Sequence, residues 1–173
     1  MTLIEIDWTG PISLTEVMAL SKSKNDIGLY MIYGNHIITR PDSLLYIGKT
    51  AESFSSRFEE HNDDWLSYES SEVKIYLGKL GGLNNIDYQT WAKQIDNAER
   101  LLIYYCSPPY NSQGINEKAV NNIKDTIVLN LGKRYRLPFE VSSFYENSEY
   151  WENENWKKYE SQIPIPSLKG IKL

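Results

Sequence analysis

From Asp87 to Cys106 the apolar residues Trp91, Ile95, Ala98, Leu102 and Tyr105 recur at helical spacing, and Pro108-Pro109 forbids any continuation. A helix of that length with one apolar stripe gains its stability from whatever covers the stripe. The cover is predicted from the preceding residues. "IGLYMIY", "LLYIG" and "EVKIYLGKL" read as strands, while residues 53–65 switch to helical period with Phe54, Phe58, His61 and Trp65 on one face. The order strand, strand, helix, strand, helix predicts an α+β fold. It implies a small three-stranded antiparallel or mixed sheet over residues 27–33, 44–48 and 72–80, flanked by helices near 53–65 and 87–106.

Around this core, residues 27–111, the chain carries two extensions. Residues 1–26 hold a short strand, "LIEIDW", and a helix of two to three turns opened by a capping box, Ser13 with Glu16. Residues 112–173 read as a docking or substrate-contact region. Within it "DTIVLNLG" suggests a strand, "YRLPFEVSS" an extended segment, and residues 144–161 an amphipathic surface helix. The connection from Gly34 to Ser43, containing Pro41, is long for a hairpin and reads as exposed and mobile.

Composition bounds the chemistry. The single cysteine, Cys106, excludes an intramolecular disulfide and a cysteine-based zinc cluster, and its setting in "LLIYYC" suggests a buried, inert thiol. The first residues lack a basic segment followed by a long apolar one, and no apolar run approaches the ~20 residues of a membrane span. A cytoplasmic protein without a membrane partner is expected. Net charge is −5, and residues 1–111 hold 9 Lys/Arg against 15 Asp/Glu, whereas residues 112–173 hold 9 against 8. Nonspecific affinity for nucleic acid is therefore expected to be weak.

Several polar groups sit where core patterning would not place them. Glu99 lies at the margin of the apolar stripe, between Ile95 and Leu102, where a carboxylate needs a cation or hydrogen-bond donors. A structural salt bridge is the plain reading. Arg57 and His61, at i and i+4, project from one side of a helix. Taken singly, they read as a snorkelling cation and a satisfied core histidine. Strand alternation puts Gly28, Tyr30 and Ile32 on one face, and Leu44, Tyr46 and Gly48 on one face of the next strand. Two tyrosines can be cross-strand packing partners, but the flanking glycines also clear room for close approach.

Taken together and in order, Gly28-Leu29-Tyr30, Tyr46-Ile47-Gly48, Arg57, His61, Glu99 and Asn111 resemble the GIY-YIG nuclease family. The resemblance covers residues 28–111, roughly half the chain, and its Arg-x-x-x-His pair is similar to the restriction-endonuclease branch. Leu29 departs from the usual isoleucine on a packing position. The resemblance implies hydrolysis of a nucleic-acid phosphodiester, DNA rather than RNA, with one Mg2+ or Mn2+ ion. Glu99 would be the metal ligand, Tyr30 would orient or deprotonate the attacking water with His61 taking the proton onward, and Arg57 and Tyr46 would bind the phosphate. Gly28, Gly48 and Asn111 would support the site. Lys49 offers a contact to backbone phosphate, against the plainer reading of a surface lysine. The alternative is a catalytically weak or inactive module of the same kind, recruited by a partner protein.

Overall fold

The computed structural model describes residues 1–22, 27–38, 40–68, 72–81, 87–116 and 120–146. Its strands are β1 (Thr2–Ile12), β2 (Gly28–His36), β3 (Arg40–Thr50), β4 (Lys74–Leu80), β5 (Thr126–Gly132) and β6 (Glu140–Ser142). The helices are α1 (Leu14–Met18), α2 (Phe54–Asp64) and α3 (Tyr88–Cys106).

One six-stranded mixed sheet, in the order β3-β2-β4-β1-β5-β6, replaces the expected small three-stranded sheet. The expected strands form its β3-β2-β4 part, and both flanking segments add to it. β1 pairs antiparallel with β4 and parallel with β5, so the N-terminal strand lies in the interior of the sheet. Short-range patterning shows that "LIEIDW" is extended, but which strands it joins is decided by contacts far apart in sequence. Asn130 supplies one of them: its side-chain oxygen accepts from Trp8 Nε1 at 3.0 Å, tying β5 to β1 inside the core.

Two further expectations change. The Gly34–Ser43 connection is largely strand: Gly34 pairs with Ser43 and His36 with Arg40, with irregularities in the register. Pro41 sits on β3 without cost because β3 is the edge of the sheet, where a missing N–H breaks no ladder. α1 is little more than one turn, although its Ser13–Glu16 capping box is formed as expected. The surface helix anticipated for residues 144–161 falls mostly outside the described residues; Ser143–Glu146 make a 3₁₀ turn.

The sheet has a core on each face. Leu29, Met31 and Ile47 join Ile4, Ile6 and Trp8 beneath the α3 residues Ile95, Ala98, Leu101 and Leu102. Tyr30, Ile32, Ile75 and Leu77 point the other way, towards Val17 of α1 and Phe54 and Phe58 of α2. Edge strand β3 thus has α2 on one side and α3 on the other. Among the described residues no helix is long and apolar enough to cross a membrane.

Candidate active site

The polar residues singled out above gather around β3. On the α2 side, register places Gly48 directly opposite Tyr30. A Cβ at Gly48 would stand 2.4 Å from the Tyr30 hydroxyl and 2.7 Å from the Tyr46 ring, so glycine makes the space the phenol fills. Gly28 serves the backbone instead, since a Cβ there would meet the Gly78 carbonyl oxygen at 2.2 Å. The Ser53 hydroxyl caps α2 by accepting from the Ser56 N–H at 3.1 Å. One turn further, Arg57 and His61 reach back to the sheet.

These groups form a hydrogen-bonded chain. Arg57 Nε–H donates to the Tyr30 hydroxyl oxygen at 3.2 Å, and that hydroxyl lies 2.7 Å from His61 Nε2. A guanidinium can only donate, so the phenol proton is assigned to His61, which accepts as a neutral imidazole. The electrostatics agree. Burial, then the Arg57 charge, holds the His61 pKa down to about 4. Burial, with Tyr46 adding, pushes the Tyr30 phenol well above its usual range, and the Arg57 hydrogen bond offsets only part of that. At neutral pH both groups are uncharged. Tyr30 is 0% exposed and His61 5%. Tyr46 stacks on Tyr30 with ring centroids 6.0 Å apart, and meets His61 and Trp65 edge-on or tilted.

On the α3 side a cleft of about 410 Å³ opens beside β3, lined among others by Tyr46, Lys49, Asp96, Glu99, Arg100 and Asn111. Lys49 Nζ lies 2.9 Å from Glu99 and also pairs with Asp96. Burial raises the Glu99 pKa, with Lys49 opposing the shift. Burial likewise disfavours the Lys49 ammonium, but its hydrogen bonds to Asp96 and Glu99 prevail and its pKa is raised. Asn111 is buried and acts as a surrogate strand: its side chain accepts from the Ile47 N–H at 3.0 Å and donates to the Ile47 carbonyl at 2.8 Å. It thereby satisfies the free edge of β3 next to the site.

The structure therefore joins Tyr30, Arg57 and His61 in one hydrogen-bonded cluster, buried at Tyr30 and His61 and partly exposed at Arg57, and brings Glu99, Lys49 and Asn111 to one open cleft. Tyr46 belongs to both. Tyr30, Arg57 and His61 do not line the cleft. Sequence reasoning passed over Asp96 and Arg100, whose i, i+3, i+4 spacing with Glu99 marks one side of α3. It also missed the wall formed by Trp65 and Tyr110, whose rings meet edge-on at 5.0 Å.

Among the described residues no three His, Cys, Asp or Glu side chains come together as a metal cage. A hard cation held by one carboxylate and otherwise by water nevertheless fits Glu99, an oxygen donor with 16% of its side chain exposed beside a polar cleft. Lys49 is its competitor. No protein-family model, curated protein or solved structure matches the chain.

Proposed function

We propose that this chain is a divalent-metal-dependent phosphodiester hydrolase, an endonuclease of the GIY-YIG kind acting on DNA rather than RNA. The observation that carries the reading is the Arg57–Tyr30–His61 hydrogen-bonded chain ending at Tyr46, whose ring also lines the cleft that holds Glu99. A core needs no such chain, because burying the Tyr30 hydroxyl and the His61 imidazole costs desolvation that apolar residues would avoid.

In this reading Tyr30 works as a relay rather than as a phenolate, since burial keeps it neutral. It takes a proton from the attacking water at its hydroxyl oxygen while passing its own proton to His61 Nε2. Arg57 donates to the phenol oxygen as negative charge develops there, and Tyr46 positions the phosphate at the mouth of the cleft. Glu99 would hold a Mg2+ or Mn2+ ion, which when bound would polarise the phosphate and stabilise the leaving oxygen. Lys49, 2.9 Å from Glu99 at the same cleft, is within reach of a phosphate oxygen there. A cytoplasmic location belongs to the same reading, supported by the lone, partly buried Cys106.

Two observations favour a second reading, a module with little activity recruited by a partner protein. Lys49 already neutralises Glu99, and Tyr30 is closed from solvent. Cleavage of supercoiled plasmid and of RNA, with Mg2+ or Mn2+, separates the two. Metal-dependent nicking by the wild type and none by Glu99→Gln supports the enzyme. A wild type that cuts neither substrate with either metal supports the module.

A further inference from the structure

A second cleft, of about 300 Å³, also borders β3 and is lined among others by Arg40, Asp42, Leu44, Ser107 and Arg136. The first is lined by residues 46 and 49 of β3, the second by residues 40 and 42–44. Leu44 and Tyr46 are separated by roughly 7 Å along a strand. Between them, the Leu45 carbonyl accepts from the Tyr110 N–H at 3.0 Å.

The charge goes from balanced at the first cleft to positive at the second. Around the first, Lys49 and Arg100 balance Asp96 and Glu99. Around the second, Asp42 gathers Lys74 at 3.0 Å and Arg136 at 2.9 Å, while Arg40 is exposed and has no carboxylate partner among the described residues. Three cations thus meet one carboxylate in a chain whose net charge is −5. Their geometry is fixed in advance. Arg136 grips both the Asp42 carboxylate and, at 2.7 Å, its backbone carbonyl. Asp42 itself holds a left-handed backbone, φ 56°, which a non-glycine residue adopts at a cost that such contacts must offset. Tyr135 donates to Asp42 and presents an aromatic face, with Lys74 and Arg136 at 5.6 and 5.1 Å from the ring centre and Tyr76 stacked at 5.4 Å.

We propose that Arg40, Lys74 and Arg136, set around Asp42 and Tyr135, form a phosphate-backbone site for the nucleic-acid strand that enters the Glu99 cleft. The inference rests on the hydrolase reading for its ligand and deepens it. Preoriented guanidinium groups beside an aromatic ring suit a flexible polyanion, because little ordering remains to be done on binding. An acidic protein needs a focused cationic site of this kind to hold nucleic acid at all. Tyr135 and Arg136 supply two of its five residues, which gives part of the C-terminal region a direct role in substrate contact.

Fluorescence anisotropy of the full chain with a short labelled DNA duplex, and with the single strand of the same sequence, tests the site without turnover when divalent metal is chelated. The Arg40 side chain makes no ion pair among the described residues, and Arg40→Ala is expected to weaken binding at least threefold. Adding Arg136→Gln should bring the loss to about tenfold or more and flatten the salt dependence by about two phosphate contacts. Lys124→Ala, two residues before β5, is the control and should leave affinity within about twofold. A double variant that binds as the wild type, or a wild type that binds neither probe at low salt, overturns the site. The two readings fail separately. Binding that depends on Arg40 and Arg136, in a wild type that cuts nothing with Mg2+ or Mn2+, keeps the site and removes the hydrolase. Cleavage with unchanged binding in the double variant does the reverse.

Discussion

On the α2 side of β3 Tyr30 and His61 are dry and neutral: they share a proton away from solvent, and the half-buried cation Arg57, itself paired with Glu60, steadies the hydroxyl. On the α3 side they are wet and charged: Lys49, Asp96, Glu99 and Arg100 trade ion pairs in an open cleft. The contrast teaches how one edge strand can serve two needs. Proton transfer benefits from a site where desolvation sets pKa values, whereas a metal and a phosphate need a site that water and ions can enter. β3 offers a closed face and an open one because successive residues point to opposite faces and, among the described residues, no further strand covers its edge.

Breaking the wet side should have the largest effect, and on activity alone. Glu99→Gln is expected to lower cleavage by about a thousandfold, about 4 kcal/mol of transition-state stabilisation. Unfolding free energy in urea should change by less than about 1 kcal/mol, because Lys49 keeps Asp96 as a partner and is 38% exposed.

The dry side should show itself through pH. His61 titrates near 4 in the fold and near 6.5 when unfolded, so the unfolded chain binds the proton more readily. Its contribution is fully present above about pH 6.5 and is lost as pH falls towards about 4, amounting to about 3 kcal/mol at most. Urea titrations across that window should show this slope in the wild type and a flatter one in His61→Gln. Equal slopes would mean that His61 is not the group holding the dry side together.

Gly48→Ala forces the Tyr30 and Tyr46 rings apart and should cost about 2 kcal/mol, with cleavage falling in parallel. Tyr30→Phe should cost less than Gly48→Ala, about 1 kcal/mol by thermal or urea unfolding, since His61 Nε2 then loses its buried donor while the ring remains. That variant should nevertheless be inactive. A Tyr30→Phe protein that cleaves normally would reduce the dry side to packing.

Much of this arrangement was legible before the fold was known. Helical period and the Pro108-Pro109 stop placed α3, and the Ser13–Glu16 box placed α1, because both signals are local. Alternation put Tyr30 and Tyr46 on one face for the same reason. The parallel pairing of β1 with β5 was not legible, since it joins segments more than a hundred residues apart and leaves no periodic trace in either. Nor was the partner of Glu99: Lys49 follows the glycine of a strand and looks like any surface lysine until α3 is laid against it. The singled-out residues could be ordered along the chain from the sequence, but their division between the two faces of β3 is a property of the edge strand alone.

A double-mutant cycle on cleavage, combining Tyr30→Phe and Glu99→Gln, tests most directly whether the two sides of β3 serve one reaction. If they do, the double variant should be about as slow as the slower single variant, because groups acting as a unit are strongly non-additive. Losses that multiply, or a metal-dependent wild-type rate that neither substitution changes, would contradict a single site shared across β3.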